Sequence, residues 1–460
     1  MAQILAGAGS NWQAVKEESV TRAPDREDLT RVGPGTVMGE FMRQYWIPAA
    51  LSSELSVDGD PMRLLLLGEK LIAFRDTNGR VGVFDQRCPH RCASLFLGRN
   101  EENGIRCIYH GWKFDVTGQC VDMPSVPAEW DYKAKVKAKA YRAAERNGLV
   151  WVYMGDRQEA PPLPAIEPSL LPAADMTQWF VQRRCNWLQA LEGDIDTSHF
   201  GFLHMGTVGV DDLDPEDMLR YTVMNRAPDY HVADAPWGTT FAAYRPVDPG
   251  QIYWRIANFM FPFWTQTPAG AFSTHVGARA WIPMDDEHTM MLHLHWKAAA
   301  PSVPMVRRDA TLPPHLTRTN DYLPNDTGWY GRWRLRANED NDWQIDREAQ
   351  RVGKSFTGIG NIHLQDQAVT ESMGPIVDHA FEHLGHSADR MIPLTRRRLL
   401  QAAHAWCAEQ AVPPGADDAA LYLKVRSGFF VCEDGLDWRE AYARQVKAAA
   451  RPVPMLEEEK

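Results

Sequence analysis

Cys88-Pro89-His90, then sixteen residues, then Cys107-Ile108-Tyr109-His110: this stretch decides how the rest of the chain is read. Two thiols and two imidazoles suit either a four-coordinate zinc or a 2Fe-2S cluster in which two histidines replace two cysteines on one iron. A single residue between Cys88 and His90 is a tighter bite than the roughly two to four found in zinc fingers, which counts against zinc. Each clip brings one sulfur and one nitrogen, so two loops can grip a cluster from opposite sides. Cys88 and Cys107 then hold the inner iron, and His90 and His110 the outer one. Strand-like runs at Leu64 to Phe74 and Val81 to Phe84 lead into the first clip, and Trp112 to Phe114 with Gly118 follows the second. Both clips therefore sit on loops of a small sheet.

Working outward, a second constellation lies in Asn186 to His204. Asp196 and His199 are three apart and share a helix face. His199 and His204 are five apart, which splays them by about 140° on an ideal helix. They converge on one ion only if the helix widens or ends, and Gly201 makes that cheap. Two histidines with open positions want one carboxylate to complete the facial triad of a non-haem Fe(II) oxygenase.

The phrases CPHRCASLFLGR (88–99) and CIYHGWKFD (107–115), coupled to D-x-x-H-x-x-x-x-H at Asp196 to His204, resemble the Rieske non-haem iron aromatic-ring oxygenases. The likeness runs from Arg31 to QDQAVTESMGPIVDH and points to the alpha subunits of the phthalate dioxygenase-like group, which includes aryl-ether O-demethylases such as dehydrodivanillate O-demethylase. It implies an α+β fold, an antiparallel β Rieske domain plus a helix-grip-like catalytic domain. It also implies that Asp366 completes the iron site with His199 and His204, with Glu371 and Asp378 as fallbacks. Asp196 is then no ligand. It bridges a neighbour's Rieske histidine, His110, to His199 or His204, in a homotrimer or trimer-based hexamer arranged head to tail. Relatives place Asn where this chain has Gly193, so any role of that Asn is lost or moved to Glu192 or Asn186. Respiratory Rieske proteins bridge an extra cysteine in each loop, but Tyr109 leaves Cys92 without a partner, and Cys92 reads as a buried filler.

At 460 residues the chain can hold two or three domains. The division read from it is an N-terminal arm at 1–39, a Rieske domain at 40–155, a catalytic domain at 156–430 beyond a Pro-rich boundary, and a C-terminal helix at 431–460. A net charge of -11 argues against nucleic acid or an anionic membrane as partner. Seven cysteines, an odd number, form no secreted disulfide pattern. No signal peptide and no long apolar run is visible, so a cytoplasmic protein is expected. Without a flavin or nicotinamide motif a separate reductase is needed, and the resemblance implies that it draws its electrons from NADH.

Helices are expected over Met38 to Tyr45, Trp179 to His204, Asn338 to Phe356, Leu364 to Leu384, Ala388 to Gln410 and Trp438 to Ala449, with an antiparallel sheet over Tyr221 to Trp296 and an irregular Ala300 to Tyr330. Arg245, Arg255 and Arg279 offer cations for an aromatic carboxylate. Phe200, Phe202, Trp254, Phe259, Phe261, Phe263 and Trp264 could line an apolar slot. The expected function is O2-dependent oxidation of such an acid, by phthalate-like dihydroxylation or by O-demethylation. Two rivals are a Rieske electron carrier without oxygenase activity and a zinc-binding scaffold.

Overall fold

In the computed structural model, which describes residues 26–298, 319–385 and 388–452, the short alternating runs of the first third form ten strands. They are β1 (Trp46–Leu51), β2 (Met62–Leu66), β3 (Glu69–Arg75), β4 (Val81–Asp85), β5 (Arg99–Glu101), β6 (Gly104–Arg106), β7 (Lys113–Phe114), β8 (Cys120–Asp122), β9 (Ala140–Arg146) and β10 (Leu149–Tyr153). One sheet takes the order β1-β10-β9-β4-β3-β2, and the other is the meander β5-β6-β7-β8. The first cysteine clip joins β4 to β5 and the second joins β6 to β7, as the sequence predicts. A small core of its own, including Phe74, Phe84, Leu95, Ile105 and Phe114, packs beneath both clips.

Eight further strands build a third sheet: β11 (Met176–Arg183), β12 (Asp229–Ala235), β13 (Gly238–Pro246), β14 (Gln251–Met260), β15 (Trp264–Gln266), β16 (Gly277–Pro283), β17 (Thr289–Trp296) and β18 (Gly428–Glu433). Their order is β11-β17-β16-β15-β14-β13-β12. The long β14 is shared along one edge, by β15 at Asn258–Met260 and by β18 at Gln251–Ile256. Thus β18 joins the sheet and runs across the boundary expected after residue 430.

The helices are α1 (Arg26–Thr30), α2 (Val37–Met42), α3 (Trp187–Ile195), α4 (Arg220–Met224), α5 (Arg347–Arg351), α6 (Ile362–Ser372), α7 (Met391–Glu409) and α8 (Trp438–Ala448). Three expected helices are corrected. Trp179 to His204 is not one helix: Trp179 lies in β11, which pairs with β17 along its whole length, and α3 starts only after Asn186 caps it by accepting from Leu188 N at 3.1 Å. Sheet pairing here outweighs local helix preference. Between Asn338 and Phe356, Asp342 and Trp343 hold φ of +51° and +48°, which breaks the helix into short turns before α5. Finally, α6 stops at Ser372 instead of reaching Leu384, because Gly374 at φ +90° is followed by Pro375.

Residues 26–39, the described part of the expected arm, dock on the catalytic domain of the same chain. Asn186 donates to Thr30 O at 2.9 Å, and Val32 N donates to Asp286 Oδ1 at 2.8 Å. Residues 1–25, and most of the run expected to be irregular, lie outside the described residues. The six-stranded and eight-stranded sheets share one large core that includes Trp151 and Trp264, whose rings stack with centroids 6.0 Å apart. The backbone N–H groups of Leu67 and Gly68 reach Pro283 O and Met284 O, so the two domains are also tied by main-chain hydrogen bonds.

Candidate active site

The two clips close in the same way. Cys88 N donates to Ala93 O at 2.8 Å and Cys92 N to Cys88 O at 2.9 Å. In the second loop Cys107 N donates to Trp112 O at 2.9 Å and Gly111 N to Cys107 O at 3.0 Å. Cys92 and Gly111 therefore occupy matching places, and both hold positive φ, +59° and +76°. Glycine adopts this without cost, and a cysteine does not. The left-handed turn also leaves Cys92 exposed, which corrects its reading as a buried filler.

Cys88 and Cys107 are buried and unbridged. The His90 and His110 ring centroids lie 4.4 Å apart, and His90 stacks on Trp112 at 4.2 Å. His110 Nδ1 is buried without a hydrogen-bond partner among the described residues. Burial pushes the Cys88 thiol well above its ordinary value. The buried thiols are stable as neutral groups, but the orphaned His110 nitrogen is costly unless a ligand takes it, and a cluster would take it together with both sulfurs. The donor set fits a cluster bound through two sulfurs and two nitrogens.

The second constellation is built by a break in the helix. α3 ends at Ile195, and Asp196 leaves it with φ -100° and ψ 108°, so Asp196 and His199 meet across a turn and not on a helix face. The chain then makes one wide turn, Phe200–His204, closed by Met205 N to Phe200 O at 3.2 Å. Of the two outcomes the five-residue spacing allows, a helix that widens or one that ends, both occur: the helix ends at Ile195 and the wide turn is a π-turn. Arg226 ties it from outside, with Nη1 donating to Gly201 O and Met205 O and Nη2 to Val208 O at 3.1 Å. Arg226 lies 3.4 Å from where a Cβ on Gly201 would be, an ordinary contact, so the packing does not demand glycine at this position.

The result is a cluster of three donors. His204 Nε2 and His199 Nε2 lie 3.0 and 3.6 Å from Asp366 Oδ1 on α6. All three ligand atoms are within 4.8 Å of one another, an arrangement able to hold a metal ion. Burial opposes the charge on Asp366, but His204 and His199, with Arg183 behind them, hold its carboxyl well below the usual carboxylate range. It therefore stays an anionic donor at neutral pH. Asp196 Oδ2 lies 3.5 Å from His199 Nδ1, Oδ1 accepts from Ser198 N at 2.8 Å, and the side chain stays 29% exposed.

A cavity of about 110 Å³ opens beside these donors, with Phe200, Pro268, Ala269 and Ile362 as its apolar wall and Thr197, Thr267, Arg255, Arg279 and His363 among its polar groups. Arg255 is buried. Its Nε donates to Thr197 Oγ1 at 3.2 Å, its guanidinium lies 4.5 Å from the Phe200 ring centroid, and its Nη1 has no partner among the described residues. Arg279 is already engaged: Nη1 donates to Asp194 Oδ1 and Nε to His293 Nδ1.

Family comparison agrees with this donor chemistry. Residues 45–141 match the Rieske 2Fe-2S domain, and residues 152–460 match the family described as LigXa C-terminal domain like. The chain is 49% identical over 431 residues to the 3-chlorobenzoate-3,4-dioxygenase oxygenase subunit of Comamonas testosteroni, covering 93% of this chain and 99% of that one. The chain belongs to the Rieske non-haem iron oxygenases. The phthalate 4,5-dioxygenase oxygenase subunit of Pseudomonas putida is 36% identical over 434 residues, covering 91% and 94%. The fold is shared with the crystal structure of dicamba monooxygenase bound to dicamba, at TM-score 0.53 and 16% identity over 80% of this chain and 100% of that one. Members of this family carry a Rieske cluster and a mononuclear iron, and the chain is the oxygenase component of a system with a separate reductase.

Not every residue singled out in this oxygenase lies at the pocket. Arg245 does not line it: its Nε is spent on Asn225 O, and burial, then the neighbouring Arg255, pulls its pKa down to about 10. Glu371 is consumed by Arg184 N, Gln367 and Trp343, and Asp378 pairs with Arg26 in solvent. Of the seven aromatics, Phe200 alone lines the cavity. Phe202 is 52% exposed, and the other five are core. Neither substitute for the missing Asn turns to the iron side, since Glu192 is doubly bonded to Arg396 and Asn186 caps α3.

Sequence reasoning missed Gln365, Asp194 and His363. Gln365 Oε1 lies 2.7 Å from His204 Nδ1, while both of its amide hydrogens are used by Thr357 Oγ1 and Ile359 O. Its oxygen must therefore accept and His204 Nδ1 must donate, which leaves His204 Nε2 as the nitrogen turned toward Asp366. The only available signal was that Gln365 adjoins Asp366.

Proposed function

We propose that this oxygenase dihydroxylates a single-ring aromatic carboxylate in the cytoplasm, drawing electrons from NADH through a separate reductase. The observation that carries it is the unpaired guanidinium of buried Arg255 in the same cavity as His199, His204 and Asp366. A carboxylate laid on Arg255 gains charge-assisted, two-point contact. The apolar wall of Phe200, Pro268, Ala269 and Ile362 gives one aromatic ring a face to rest on beside Arg255. The two full-length relatives described above both carry dioxygenase names.

In this reading Cys88, His90, Cys107 and His110, within the 40–155 module, hold the cluster. His199, His204 and Asp366, within the 156–430 module, hold the iron. Once bound there, the cluster would supply one-electron storage and transfer, and the iron would supply activation of O2. The chain's own residues do the rest. Arg255 fixes the acid end, Phe200 and Ile362 hold the ring face and keep water out, and Gln365 keeps His204 turned to its ligand position. Asp196 links His199 to His110 of the next subunit, in a homotrimer or a hexamer of such trimers. Exposed apolar side chains at Leu97, Ile108, Tyr109 and Trp130 around the clips, and at Phe202 and Phe356 near the wide turn, support a second copy covering them. No helix among the described residues is long and apolar enough to cross a membrane.

The test is a panel of benzoates, halobenzoates, phthalates and methoxybenzoates, turned over with NADH and a surrogate reductase. A cis-diol from a benzoate supports the proposal. Formaldehyde from methoxybenzoates alone would make the enzyme an O-demethylase, and no oxidation of any acid would remove the carboxylate reading.

A further inference from the structure

We infer that the Asp194–Arg279 pair restricts the pocket to substrates bearing one anionic group, so that Asp194 is a specificity-determining residue. The inference rests on the reading that a carboxylate binds Arg255. Two guanidiniums line the cavity, but they are not equivalent. Arg255 makes no ion pair among the described residues and keeps a buried, unpartnered Nη1. Arg279 is neutralised by Asp194, and its Nε faces His293 Nδ1 at 3.4 Å.

Asp194 cannot turn away from this duty. Its Oδ2 accepts from Thr265 Oγ1 at 2.6 Å, and that hydroxyl oxygen accepts from Trp281 Nε1 at 2.9 Å. The carboxylate sits on α3 and its partner on β16, and both side chains are largely buried, so the pair is part of the fixed wall. A single carboxylate on Arg255 leaves every charge of this wall matched. A second carboxylate on the same ring would enter a low-dielectric space where the remaining cation is already matched and Asp194 and Asp196 repel it. An unmatched buried charge of that kind is strongly disfavoured.

The experiment measures dissociation constants of benzoate, benzamide, 2-nitrobenzoate and phthalate on the anaerobic holoenzyme at about pH 8, where both phthalate carboxyls are ionised. 2-Nitrobenzoate has the outline of phthalate with one charge. It should bind the wild type at least about tenfold tighter than phthalate. Asp194→Asn keeps the shape and leaves Arg279 uncompensated, so it should move that ratio toward phthalate by about tenfold or more while still binding benzoate. Phthalate binding the wild type as tightly as 2-nitrobenzoate overturns the inference, and so does an unchanged ratio in an Asp194→Asn protein that binds benzoate. If Asp194→Asn does not fold, the wild-type comparison decides alone. Failure of the underlying reading looks different: benzoate and benzamide would then bind the wild type equally.

Discussion

Gln365 Oε1 accepts from His204 Nδ1 at 2.7 Å, a bond whose direction is set because both amide hydrogens of Gln365 are committed elsewhere. Removing it should free the ring to rotate and to carry its proton on either nitrogen. Gln365→Leu should therefore weaken metal binding at His199, His204 and Asp366 by about 10- to 100-fold. Gln365→Glu, which keeps an acceptor, should retain most of the affinity. Titrating metal-free protein with Co(II) and reading its visible spectrum checks both, and the Rieske EPR signal should be the same in all three proteins.

Asp196→Asn keeps an oxygen for Ser198 N but replaces the anion facing His199. Iron and sulfide contents should be unchanged, while substrate-coupled turnover falls by at least about 100-fold. Wild-type turnover in this variant would eliminate the inter-subunit bridge.

Arg255→Gln should lose a charge-assisted contact of about 2–3 kcal/mol, or roughly 30- to 150-fold in the dissociation constant of benzoate. Arg245→Gln should leave that constant within about threefold, since Arg245 lies outside the pocket. Equilibrium dialysis distinguishes the two.

Cys92→Gly should stabilise the first clip by about 1 kcal/mol, because it removes a Cβ from a backbone at φ +59°. It also removes an exposed thiol beside the cluster. A higher thermal midpoint for bleaching of cluster absorbance, and slower loss under mild peroxide, are the expected readings. A lower midpoint would mean that the side chain has a partner on a neighbouring chain.

Glu69 ties α2 to the first domain by accepting from Arg43 at 3.0 Å, Lys139 at 2.6 Å and Tyr141 at 2.5 Å. Burial opposes its charge, but these donors together hold its pKa below the ordinary 4.5. The sign follows: the stabilisation is complete above about pH 4.5 and is lost as pH falls through the lower, folded-state value. Glu69→Gln should cost about 2–3 kcal/mol at neutral pH, with the difference from wild type closing on acidification. Urea midpoints at a series of pH values check this.

The spacing of the four cluster residues and of Asp196, His199 and His204 was readable because chemistry at a metal restricts residue type and order more tightly than packing does. That the helix must widen or end before His204 followed for the same reason, since two donors five positions apart have few ways to converge, and the chain does both. The single helix expected over Trp179 to His204 failed because β11 is held by pairing with β17, a partner about a hundred residues away that no local window contains.

By itself, then, the chain's order of residues carried the two Cys/His clips, the Asp196–His199–His204 spacing and the two-module architecture, since these are written in short local patterns, whereas folding brings the distant Asp366 to the histidines. Which arginine is free was decided only by tertiary structure. Arg245, Arg255 and Arg279 look alike as letters, and they differ because folding places Asn225 O against the first, Asp194 against the third and an open cavity against the second. A charge's chemistry depends on what neutralises it, and that partner arrives from a distant part of the chain.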